Sequence, residues 1–154
     1  MRGLKGVTIG LGSFILGVGL TLAVSSHAKR PVPPAMKPTI TNAKTAIKRV
    51  APSGKATIQQ LALGERAFIG LLQMDAGASV PTHRDISEEY VIVMKGSGTI
   101  TINGKQSKVT KGSVIFMPAG AMVSYKNGPK KLVAIQVFAG PKSATKYRGW
   151  KTTK

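Results

Sequence analysis

The chain has 154 residues, with 23 Lys and Arg against five Asp and Glu, no Cys and a formal net charge of +18. That length accommodates one modest domain, and the absence of cysteine excludes a disulfide framework and a thiolate nucleophile. So large a charge excess favours anionic partners such as phosphate-bearing lipid, acidic polysaccharide or nucleic acid, without choosing among them.

Residues 1–28 have the layout of a secretory signal: Arg2 and Lys5, then an uncharged apolar stretch from Val7 to Val24, then small residues at Ser26 and Ala28. The competing reading is an uncleaved membrane anchor, because the stretch approaches the roughly 18–20 residues that span a bilayer, although its glycines weaken it as a membrane helix. Either way the expectation is an exported domain, periplasmic or extracellular. Residues 29–54 read as a basic arm, held extended by Pro31, Pro33, Pro34 and Pro38. A helical turn or two is expected over Ala43–Val50.

From Lys55 onward, short apolar runs alternate with turn residues. Ala56–Leu63, Phe68–Met74, Tyr90–Met94, Thr99–Ile102, Ser113–Met117, Met122–Tyr125 and Leu132–Phe138 read as strands. Asn103-Gly104, between Thr99–Ile102 and Lys105–Val109, predicts a type I′ hairpin. Many short strands with frequent turns imply an all-β sandwich or barrel over residues 55–141. Residues 142–154 form a second basic segment. The arm and this tail carry 11 of the 23 basic residues and no acid. These flanks either solubilise the protein or tether it to an anionic envelope surface or acidic glycan. Lys146-Tyr147-Arg148-Gly149-Trp150-Lys151 interleaves basic and aromatic residues, but nothing like a nucleic-acid-binding fold accompanies it, so nucleic acid is not an expected partner. A tail with Trp150 packed on the barrel accounts for it equally well.

Two spaced patterns run through the barrel segment: Gly77-x5-His83-x-Asp85-x3-Glu89-x6-Gly96 and Gly112-x5-Pro118-x-Gly120-x2-Val123-x3-Asn127. Their spacing resembles the two motifs of the cupin family. The resemblance implies a small jelly-roll barrel, a ligand or metal site in its lumen, and a homodimer formed through sheet edges, a role that Leu132–Phe138 with Ala139 would suit. In that family the four ligand positions usually carry His, His, Glu and His; here they carry His83, Asp85, Glu89 and Val123. Valine ligates nothing. The remaining set of His83, Asp85 and Glu89 is harder than the usual one and would hold a divalent first-row ion (Fe, Mn, Ni or Zn) more weakly.

Asp85, Glu88 and Glu89 put three of the five acids into one short stretch beside His83. An interior Glu89 must be paired or protonated. Its partner is a metal, or else Arg84, Lys126 or a neighbouring amide. Period-two facing puts Val91 and Val93 inward with Glu89, Tyr90 outward, and Tyr125 beside Val123. Gln73, Tyr90, Ser124, Tyr125 and Gln136 are the other polar candidates for the lumen. The expected ligand site is therefore His83, Asp85, Glu89, Val123 and Tyr125 around a mostly apolar pocket with a few polar groups, suited to a small anionic or sugar-like molecule. In the enzymatic alternative, a metal-dependent dioxygenase, isomerase or lyase, Tyr125 is the acid/base candidate.

Overall fold

The computed structural model describes residues 36–153. The expected signal or anchor lies outside the described residues, as does the start of the arm. Among the described residues eleven strands are formed: β1 (Lys48–Val50), β2 (Ala56–Leu63), β3 (Ala67–Met74), β4 (Ser79–Arg84), β5 (Glu88–Lys95), β6 (Ser97–Ile102), β7 (Lys105–Thr110), β8 (Val114–Met117), β9 (Met122–Asn127), β10 (Leu132–Ala139) and β11 (Lys151–Thr153). A 3-10 helix over Pro141–Gly149 joins the last two. The strands make a seven-stranded sheet, β11-β1-β2-β3-β10-β5-β8, facing a four-stranded sheet, β4-β9-β6-β7. All pairings are antiparallel. This is the expected jelly roll.

The alternation of side chains along each strand sets the layers. In β10, Leu132, Ala134, Gln136 and Phe138 are buried while Val133, Ile135 and Val137 are partly exposed. Between the sheets, Met74, Val91, Val93, Ile100, Ile115, Met117, Val123 and Leu132 form the main core. A second cluster, Ile58, Phe68, Phe138, Ala144 and Tyr147, joins the larger sheet to the 3-10 helix, with Trp150 packed against it. The Asn103-Gly104 turn takes the positive φ values that a type I′ hairpin needs, 49° and 83°, and sets β6 and β7 in register with Ile102 opposite Lys105.

The sheet reaches beyond the expected barrel limits. Ala43–Val50 is not helical throughout: a turn closed by the Ala46 amide on the Asn42 carbonyl (2.9 Å) gives way to β1. This strand from the arm pairs with β11 from the tail, Arg49 opposite Thr152. Their polar sequences hide them from a periodicity argument. β4 is hidden for another reason: it contains Pro81, which a central strand excludes. Here β4 is the edge of the smaller sheet, and its register shifts between Val80 and His83. The edge role expected for Leu132–Phe138 is overturned, because β10 is paired on both sides, with β3 and with β5.

One glycine shapes the interior. A Cβ on Gly98 would fall 2.6 Å from the Lys126 carbonyl oxygen and would collide with the Tyr125 hydroxyl. Gly98→Ala is expected to cost about 1–3 kcal/mol and to displace Tyr125. Urea unfolding with near-ultraviolet dichroism checks both effects.

Candidate functional site

The two sheets enclose a cavity of about 320 Å³. Most of its wall is apolar: Leu72, Met74, Val80, Val91, Val93, Ile100, Ile115, Met117, Val123 and Leu132. Its polar groups are His83, Glu89, Tyr125, Gln136, Lys146 and Tyr147. Trp150, from just beyond the 3-10 helix, also lines it.

Each polar group is placed by its element. Glu89 and Gln136 lie on the inner faces of neighbouring strands β5 and β10, two residues apart in register, and both are buried. Gln136 Nε2 donates to Glu89 Oε1 at 2.5 Å, and the Tyr147 hydroxyl donates to Gln136 Oε1 at 2.6 Å. The tyrosine fixes the orientation of the amide, and the amide then satisfies the carboxylate. Burial pushes the Glu89 carboxyl up from its ordinary value. Burial also pushes the Tyr147 hydroxyl up, with the nearby Glu89 charge adding to it, so Tyr147 remains a donor.

A second chain begins at His83. Its Nδ1 donates to the Pro81 carbonyl at 2.9 Å, which leaves Nε2 3.4 Å from Asp85 Oδ2. Lys146 Nζ donates to the same oxygen at 2.7 Å. The hydrogen bond to Asp85 is the main cause that raises the His83 pKa. For Asp85, burial pushes upward, but the bonds from His83 and Lys146 outweigh it and hold the carboxyl below its ordinary range.

The expected residues therefore divide. His83, Glu89, Val123 and Tyr125 line the cavity, while Asp85 turns to Lys146 instead. Tyr125 donates its hydroxyl to Asn127 Oδ1 at 3.2 Å, and burial raises its pKa. Of the other lumen candidates, Gln136 lines the cavity. Gln73, Ser124 and Tyr90 do not; Tyr90 stacks outside on Phe116, ring centres 5.0 Å apart. Met117 faces in and Phe116 out. The partner of Glu89 is an amide, since Arg84 bonds to the Gly120 carbonyl and Lys126 to that of Gly77. Lys146, Tyr147 and Trp150, expected as tail, are parts of the site that sequence reasoning missed. Their one signal was the basic-aromatic interleaving.

The expected metal set is not assembled. Among the described residues, no three His, Cys, Asp or Glu side chains are placed to hold one ion. Asp85 is committed to an ammonium, Glu89 accepts from an amide, and Val123 fills the place opposite His83. These donors do not fit a bound divalent metal.

Residues 70–138 match the family model described as the cupin domain. They have the cupin fold. The region is 29% identical over 75 residues to an uncharacterized protein of Streptomyces coelicolor, covering 49% of this chain and 71% of that one. An RmlC-like cupin from Shewanella frigidimarina superposes with a TM-score of 0.63 at 16% identity, over 71% of this chain and 96% of that one. A predicted oxalate decarboxylase from Thermotoga maritima gives 0.59 at 22% identity, over 66% and 98%. At these identities the structural likeness establishes the cupin fold.

Two outcomes follow from the cupin site. Val123 is the cross-strand partner of His83, so Val123→His brings a second imidazole within reach of the first. The metal-free variant should lose about 1–3 kcal/mol of stability from a polar ring in an apolar wall. Nickel or zinc should restore its melting temperature, read by calorimetry with and without the ion. Asp85→Asn should cost about 1 kcal/mol near pH 6, because its partners are partly exposed. The contribution of a depressed carboxyl is present above its ordinary value of 3.8 and is lost as pH falls through the lower folded value. The His83 contribution is full below 6.5 and is lost as pH rises through its raised value. The gap between wild type and variant should therefore be widest between these limits and narrow on either side, as measured by melting across pH.

Proposed function

We propose that this domain binds a small molecule with an apolar body and a single polar head, and that it does so without a metal. The observation that carries this reading is the cavity, with an apolar wall ending in a cluster of hydrogen-bonding groups. Its volume sits near the lower end of the range for ligand cavities, about 300–1,000 Å³. Of the two expected ligand classes, a sugar is the poorer fit. A ring of hydroxyls would lose its water against Val91, Val93, Val123 and Ile115 with no partner in return. An apolar body gains from the same burial at about 25 cal/mol per Å².

The chain's single tryptophan, Trp150, lies on the cavity wall against Tyr147, ring centres 4.8 Å apart. Its emission therefore reports occupancy. Titration with phenylbutyramide, a neutral compound with a phenyl body and an amide head, should give a saturable change in Trp150 fluorescence. Val123→Phe, which fills the cavity, should abolish that change while preserving a cooperative melt. A linear, unsaturable response in the wild type would rule the reading out.

A further inference from the structure

Lys146 is a polar lining group that no cupin-like spacing accounts for. It rides on the 3-10 helix, which is held to the barrel from both sides. The Ser87 amide donates to Ser143 Oγ at 3.1 Å, and Ser87 Oγ donates to the Gly140 carbonyl at 2.6 Å. Beyond the helix, β11 pairs with β1. The ammonium is thus delivered to a set position. An ammonium has three donors, and among the described residues Asp85 is its one hydrogen-bond acceptor. The group also lies over the Phe138 ring, 4.9 Å from its centre, and 5.7 Å from that of Tyr147. Positive charge is therefore built into the polar end of the cavity, covalently, in a fold whose donor set here does not assemble around an ion.

Resting on the cavity reading above, we propose that the Lys146 ammonium receives the ligand's head and that this head is an anionic oxygen, as in an apolar carboxylate. Asp85 balances the lysine when the cavity is empty and orients it, while the remaining N–H donors are available to the ligand. His83 lines the same wall as a second donor, and its bond to Asp85 favours the charged imidazolium. Glu89 is the one carboxyl among the lining residues. Its Oε1 is already occupied by the Gln136 amide, and burial raises its pKa. The Lys146 side chain is 38% exposed, so the head is met at the mouth of the cavity, where a charge-assisted hydrogen bond forms although water screens part of the attraction.

The test compares phenylbutyrate with phenylbutyramide, which share a body and differ in the charge of the head. Binding is measured by calorimetry and Trp150 fluorescence in buffer containing chelator. The wild type should prefer the acid by at least about tenfold. Lys146→Met should lose that preference while still binding the amide, and Lys146→Arg should keep most of it. Equal affinity for acid and amide in the wild type would overturn the proposal, as would an undiminished preference in Lys146→Met or acid binding that appears only when a divalent metal is added. If neither compound binds, the cavity reading fails and this proposal goes with it; binding of the amide without preference for the acid removes this proposal alone. Should Lys146→Met not fold, the wild-type comparison and Lys146→Arg still decide.

Discussion

A carboxyl group on the inner wall of a β-barrel has to find hydrogen-bond donors, and much of the arrangement described above follows from how Glu89 finds them. Water is excluded by the apolar residues around it, and an unsatisfied buried carboxylate would cost several kcal/mol. Its donor is Gln136 on the adjacent strand. That amide can serve only if its own oxygen is turned away and bonded, and the bond comes from Tyr147. Tyr147 belongs to the 3-10 helix, and its ring packs on Phe68 and Phe138, with centres 5.7 and 6.4 Å apart. The helix is thus required by the polar chain and fastened by the aromatic cluster. A half-satisfied version of this network would be worse than an apolar wall.

The consequence for the chain's basic end is a change of role. Read by composition, residues 142–154 are a solvated tail. Folded, the helix they begin covers one end of the cavity, and β11 closes the sheet against β1. Three residues of that segment, Lys146, Tyr147 and Trp150, become cavity wall. One lysine of the flank, itself 38% exposed, sets its ammonium at the rim of the cavity, where Asp85 meets it.

The fold was legible because its signals are local and repeated. Alternation in β5 and β10, the Asn103-Gly104 turn and the two spaced patterns all reflect backbone geometry that a sequence records directly. The inward facing of Glu89, Val91, Val93 and Val123 followed from the same period of two. The site was legible only in part because its decisive contacts join residues far apart in sequence. Asp85 was read as a site ligand alongside His83, but its contacts are with His83 itself and, at shorter distance, with a lysine 61 positions away. β1 and β11 left no pattern, since strands of three residues with a single apolar side chain between them, Val50, are too short and too polar to show a period. β4 was masked by Pro81, tolerated only because an edge strand with a shifted register can spare an amide.

The cavity itself is the last element that stability does not explain. A core packs to the density of an organic crystal, and each methyl-sized void costs about 1 kcal/mol. The wall of this one includes four valines, Val80, Val91, Val93 and Val123, where leucine or phenylalanine would occupy more of the space. The neighbouring cluster of Phe68, Phe138 and Tyr147 shows that this chain packs large aromatic side chains where it closes a core. Space is therefore kept on one side of the Glu89–Gln136–Tyr147 chain and eliminated on the other. A buried polar network bordering retained apolar space is the arrangement on which the proposed ligand reading rests.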